Sequence, residues 1–128
     1  MNSAKLSKLI PIILVVAFLL INFFHERSHS GDNAVVGPSG VPEYVMDVLE
    51  RVEAEGKPFK SYVGGRTFQN REKRLPKTGN DGKKLKYKEW DVHKKVKGKN
   101  RGAERLVTGS DGSAYYTKDH YKTFKQIK

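Results

Sequence analysis

Val45, Val48, Leu49 and Val52 fall at i, i+3, i+4 and i+7, the spacing that lines four apolar side chains along one face of an α-helix. Pro42 suits the first turn of that helix, where its missing amide hydrogen costs nothing, and Glu43 and Asp47 lie toward the positive end of the helix dipole. Gly56 followed by Pro58 closes it. The pattern then shifts to short runs suited to strands, at 66–69, 85–92, 104–108, 114–117 and 121–125, separated by turns rich in Gly and Asp. Asp111-Gly112, between two of these runs, is a hairpin signal. A one-sided helix must bury its stripe against another layer, here the sheet that the runs would form. The expected fold class is α+β, with one N-terminal helix packed on an antiparallel sheet of about five strands.

The 128 residues include no cysteine, so disulfides and thiolate metal sites are both excluded and the core must hold the domain alone. Met1 to Lys8 carries two lysines, and Leu9 to Phe24 is apolar except for Pro11 and Asn22. That is short for a membrane span, which takes roughly 20 residues, but long enough for the apolar region of a signal peptide. Ser28 and Ser30 allow cleavage before Gly31. Residues 1–30 are expected to act as a signal peptide or an N-terminal membrane anchor, with the following domain outside the cell in either case. Residues 31–40 have the composition of a linker, and the folded domain is expected over 41–128.

Formal charge is +11; Lys5, Lys8 and Arg27 against Glu26 leave +9 for residues 31–128. Such a field favours polyanions, either nucleic acid or an anionic surface, and by itself says nothing about catalysis. Selecting guanine needs a carboxylate to accept from N1–H and the N2 amine, tight-loop amides to donate to O6, and a ring to stack on the base. Phe68-Gln69-Asn70-Arg71-Glu72 supplies a ring, a polar loop and a carboxylate in that order. Cleaving RNA at a 2′-hydroxyl needs a base on one side of the phosphorus, an acid on the other and cations around the equatorial oxygens. Glu89 is a candidate base, on one strand face with Tyr87 and Asp91, while Trp90 and Val92 point into the core. Arg101 and Arg105 offer forked donors for phosphate, and Arg105 leads into a strand. His120, between Asp119 and Tyr121, is the candidate acid, because an unperturbed imidazole titrates near 6.5. His25 and His29 fall in or beside the targeting segment, and His93 has no partner in view and is expected at the surface. No His and acid cluster at ligand spacing, so no metal or other cofactor is expected.

With these motifs in order, the chain resembles the bacterial guanyl-specific ribonucleases, the barnase-like family, and its single helix matches the shorter members. The resemblance covers about 41–128 and rests on Phe68-Gln69-Asn70-Arg71-Glu72 with Leu75-Pro76, on Tyr87-Lys88-Glu89-Trp90-Asp91-Val92, on Arg101 with Arg105, and on Asp119-His120-Tyr121 with Thr123-Phe124. It implies the microbial ribonuclease fold and a metal-independent endoribonuclease that cuts single-stranded RNA 3′ of guanosine through a 2′,3′-cyclic phosphate. It also implies roles: Glu89 as general base, His120 as general acid, Arg101 and Arg105 on the phosphate. Glu72 would accept from the guanine edge, Gln69, Asn70 and Arg71 would contribute amides to O6, and Phe68 and Tyr121 would flank the base. The interval from Glu89 to Arg101 is slightly longer than in the family and is filled by Lys94, Lys95, Lys97 and Lys99. Implied partners are single-stranded RNA and an acidic intracellular inhibitor of the barstar type, the enzyme itself being a monomer. The alternative is a non-catalytic basic module on the same fold that binds RNA or other anions.

Overall fold

The computed structural model describes Gly37 and residues 40–128; the targeting segment expected over 1–30 and the linker expected over 31–40, save Gly37 and Gly40, lie outside the described residues. Among the described residues no helix is long and apolar enough to cross a membrane. The helix α1 spans Glu43–Glu55 and is followed by strands β1 (Gly64–Phe68), β2 (Tyr87–Asp91), β3 (Arg105–Gly109), β4 (Ala114–Thr117) and β5 (Lys125–Gln126). The five strands form one antiparallel sheet in chain order, so every connection joins neighbours. This is the expected α+β arrangement.

The helix forms where the stripe places it. Val45, Val48, Leu49 and Val52 are all buried, and they pack with Trp90, Val92, Leu106, Ala114 and Tyr116 from one sheet face. Gly56 ends the helix in the left-handed conformation (φ 67°), where its amide donates to the Val52 carbonyl at 2.8 Å. The opposite face of the sheet is buried too: Tyr87, Val107 and Tyr115 pack with Leu75, Leu85, Phe68, Tyr121 and Phe124. Alternation along β2 therefore has two destinations, Trp90 toward the helix and Tyr87, Glu89 and Asp91 toward the second face.

The Asp111-Gly112 turn closes the β3–β4 hairpin as its sequence requires. Gly112 adopts φ 84°, and the Asp111 carboxylate accepts from the Ser113 amide at 3.1 Å and the Ser113 hydroxyl at 2.5 Å. On the edge strand a β-bulge interrupts the register between Gly64 and Arg66, with Gly65 at φ 86°. Gly64 is compelled by contact, since a Cβ there would lie 2.7 Å from Trp90 Cε3.

Two expectations change. The last strand does not begin at residue 121, because His120 and Tyr121 take positive φ (55° and 70°) in a turn, and pairing starts only at Lys125. His93 is not without a partner: its Nε2 meets the Glu104 carboxylate, and its ring lies 4.7 Å from that of Tyr44. Glu104 also accepts from the Tyr44 hydroxyl at 2.6 Å and the Tyr116 hydroxyl at 2.5 Å, which fastens α1 to the sheet. Burial pushes the Glu104 carboxyl up, but bonds from Tyr116, Tyr44 and His93 outweigh it and hold the carboxyl below its usual range.

Candidate active site

A cleft of about 410 Å³ opens on the second sheet face. Its lining includes Phe68, Gln69, Asn70, Arg71 and Glu72 from the loop after β1, Glu89 from β2, and His120 and Tyr121 from the turn after β4. Of the ten residues singled out in the sequence, eight therefore meet in one depression, and Arg101 and Arg105 stand beside it on the Asp91 carboxylate.

The loop after β1 owes its shape to Asn70. That residue takes φ 48°, a conformation asparagine tolerates better than most. Its side chain bridges the loop, donating to the Leu75 carbonyl at 2.8 Å and accepting from the Leu75 amide at 3.1 Å. The Asn70 side chain is thus a brace, which leaves the loop backbone to meet a ligand. Glu72 is held by Arg74, whose Nε donates to Oε2 at 2.7 Å while its Nη1 donates to the Lys122 carbonyl. Arg74 was not singled out in the sequence, where it is one basic residue among many.

Phe68 and Tyr121 do not form the two walls of a slot. Their rings stack on each other, with centroids 4.9 Å apart and planes at 25°, so no base fits between them in this arrangement. Phe68 is fixed from behind by Tyr87 and Phe124, which makes the pair one aromatic platform.

Glu89 accepts a hydrogen bond from the Tyr121 hydroxyl. Burial, and then the bond to Glu89, push the Tyr121 phenol well above its ordinary value, so it stays protonated and donates. One row along β2 lies Asp91, 2 % exposed, a carboxylate that must be paired to be buried at all. Arg101 binds it in bidentate fashion, Nε to Oδ2 at 2.8 Å and Nη2 to Oδ1 at 2.5 Å. Arg105 approaches the same Oδ1 through Nε at 3.2 Å and spends Nη1 on the carbonyls of Gly102 and Glu104. The bond to Asp91 raises the Arg101 guanidinium above its already high value. Asp91 shares the Glu89 face by simple alternation. The signal that marks it is an acid two residues from a candidate base, in a chain whose nearby arginines need a fixed counter-charge.

His120 sits on strained backbone. Two consecutive non-glycine residues at positive φ persist only where their surroundings over-determine them. Here the Thr123 amide and hydroxyl donate to Asp119 at 2.9 and 2.5 Å, the Thr117 hydroxyl donates to Asp119 at 3.0 Å, and the Tyr121 amide donates to that hydroxyl at 3.0 Å. The His120 amide donates to the Ala103 carbonyl at 3.0 Å, which joins the histidine turn to the segment carrying both arginines. The hydroxyl and amide of Thr123 hold the Asp119 carboxyl down to about 2. Among the described residues no group of three or more His, Cys, Asp or Glu is placed to hold a metal ion.

The family model described as ribonuclease matches residues 25–128. The chain is 38 % identical over 85 residues to guanyl-specific ribonuclease St of Saccharopolyspora erythraea, covering 66 % of this chain and 78 % of that protein. It is 38 % identical over 90 residues to guanyl-specific ribonuclease Sa of Kitasatospora aureofaciens, covering 70 % and 88 %. Among solved structures it is similar to ribonuclease Sa2 with exo-2′,3′-cyclophosphorotioate, at 40 % identity and a TM-score of 0.51 over 69 % of this chain and 88 % of that one. The Sa2 structure with 3′-GMP gives 38 % identity and the same TM-score and coverage.

Asp91→Asn leaves the Arg105 side chain, 5 % exposed, without its counter-charge. Stability to chemical denaturation is expected to fall by about 3 kcal/mol, the usual scale for breaking a buried pair. A loss no larger than that of a surface substitution would show that the pair does not hold the segment. For Asp119 the folded value lies below the unfolded one of about 3.9, so its contribution is present above that pH and is lost as pH falls through about 2. Asp119→Asn is therefore expected to be less stable than the native chain at pH 7, with the gap closing in acid. A gap that stays constant across that range would contradict the assignment.

Proposed function

The chain belongs to the microbial guanyl-specific ribonuclease family, and on that premise we propose that it cuts single-stranded RNA on the 3′ side of guanosine by transphosphorylation to a 2′,3′-cyclic phosphate. It is an endoribonuclease. The observation that carries the mechanism is that Glu89 and His120 line one cleft with the loop from Phe68 to Glu72. Similarity to ribonuclease Sa2, whose structures hold 3′-GMP and a 2′,3′-cyclophosphorotioate, supports the same substrate class here.

In this reading the guanine edge meets Glu72 and the amides of Gln69, Asn70 and Arg71, and the base stacks on the Phe68–Tyr121 platform. Glu89 takes the 2′-hydroxyl proton as the 2′ oxygen bonds to phosphorus. The bond from phosphorus to the 5′ oxygen breaks, and protonated His120 delivers its proton to that oxygen. The two roles are exchanged when water opens the cyclic phosphate. Arg101 and Arg105, fixed by Asp91, present their remaining donors to the equatorial oxygens, where pre-oriented charge is most effective. No step in this scheme requires a metal ion. Tyr121 binds Glu89 before the substrate does, so the 2′-hydroxyl must share or displace that bond.

Such an activity would be toxic inside the producing cell. The proposal therefore includes export of the domain, action as a monomer and an acidic intracellular inhibitor of the barstar type that covers the basic cleft. Expression of the native chain without an inhibitor is expected to arrest growth or degrade cytoplasmic RNA, while His120→Ala is expected to be tolerated; equal tolerance of both would remove the case for an inhibitor.

The direct assay is cleavage of a short single-stranded RNA containing one guanosine, with EDTA present. One cut 3′ of that guanosine, ending in a cyclic phosphate, is the expected result. Glu89→Gln and His120→Ala are each expected to lower the rate by about 10²- to 10⁴-fold, the usual scale of general acid–base catalysis. RNA that is bound but left intact would make the domain a binding module.

A further inference from the structure

Arg66 stands directly opposite Glu89 in the β1–β2 register, so both side chains leave the same face of the sheet with Cβ atoms about 5 Å apart. It is exposed, and among the described residues its guanidinium has no hydrogen-bond or ion-pair partner. The bulge at Gly65 fixes its facing, because shifting a strand by one residue turns every side chain to the other face. On the far side of Glu89 lies β3, whose Arg105 is paired with Asp91 in the next row. Glu89 thus has an arginine on each neighbouring strand, Arg66 directly opposite and unpaired, Arg105 one row along and tied down.

Charge shows what the free one is for. Arg101 and Arg105 are both set against Asp91, and Glu89 stands on the same strand face, so apart from protonated His120 these groups offer a phosphate no net positive charge. Asp91 and backbone carbonyls also occupy many of their donors. A phosphoryl centre gaining negative charge above Glu89 is stabilised by each further cation close by, and Arg66 is long enough to reach past a cross-strand neighbour.

We propose that Arg66 is a third cationic ligand of the scissile phosphate, reaching it across Glu89 from the edge strand. This rests on the ribonuclease reading and adds to it a substrate-contacting residue. Arg66 binds the phosphate and moves no proton.

The test titrates the native chain, Arg66→Ala and Arg66→Lys with guanosine and with guanosine 3′-monophosphate, and measures cleavage of guanylyl-3′,5′-uridine, whose one phosphate is the scissile one. Arg66→Ala is expected to weaken the monophosphate about tenfold, as for loss of a charge-assisted hydrogen bond, and to leave guanosine unchanged. Its kcat on the dinucleoside is expected to fall by at least the same factor, with Arg66→Lys between the two. Equal weakening of both ligands, or of neither, overturns the proposal. So does a loss confined to longer RNA, which would place Arg66 on a downstream phosphate. A native chain that neither binds guanosine nor cuts the dinucleoside would instead overturn the ribonuclease reading beneath it.

Discussion

A carboxylate removed from water must be paired, and Asp91 is paired twice. Much of the site follows from that requirement. Arg101 closes on Asp91 from the end of the lysine-rich loop, and Arg105 closes on it from the first position of β3, so the segment between them is held at both ends. That segment then supplies two anchors. The Ala103 carbonyl accepts the His120 amide, and Glu104 gathers Tyr44 from the helix, Tyr116 from β4 and His93. One buried carboxylate therefore ties together the two arginines, the histidine turn and the docking of α1. Buried pairs seldom add much net stability, because desolvation offsets attraction. The value of this one lies in positioning.

Among the described residues three of the five non-glycine positions at positive φ lie on the cleft, the other two being Ser61 and Lys73. Asn70, His120 and Tyr121 all take positive φ on the cleft, and each is held by side-chain bonds to neighbouring backbone or to a neighbour that makes them. A turn of this kind aims two adjacent side chains, His120 and Tyr121, into one cleft, which an extended strand with its alternating faces cannot do. The cost of the backbone is offset by Asp119 with Thr117 and Thr123, none of which lines the cleft.

The helix and hairpin were legible in the sequence because each has a local cause. The stripe from Val45 to Val52, Gly56 at the helix end and Asp111-Gly112 all act within a few residues, and all appear where they were read. The facing of Glu89 followed from alternation for the same reason. What could not be read depends on contacts distant in the chain. The last strand was expected from residue 121 on composition, but Thr117 and Thr123 hold that stretch as a turn. His93 gained a partner eleven residues away, Arg74 reached the Lys122 carbonyl, and the stacking of Phe68 on Tyr121 requires two segments more than fifty residues apart to meet. Asp91 was placed on the right face but given no role, since a burial depth is not written in a five-residue strand.

The basic field of this chain and the carboxylates of its cleft work at different ranges. A surplus of lysine and arginine draws a polyanion from any direction, over about a Debye length of 8 Å at physiological salt, and does not distinguish one phosphate from the next. Closer in, four acids in and around the cleft each have their own donor: Glu72 with Arg74, Glu89 with Tyr121, Asp91 with two arginines, Asp119 with two threonines. The donor decides the task. An acid locked between arginines can only position, one bound by hydroxyl and amide groups can hold a strained turn, and one in a cleft that meets a single phenol can exchange that bond for another hydroxyl. The fold commits Asp91 to two arginines and leaves Glu89, its neighbour on the same face, with the Tyr121 phenol alone.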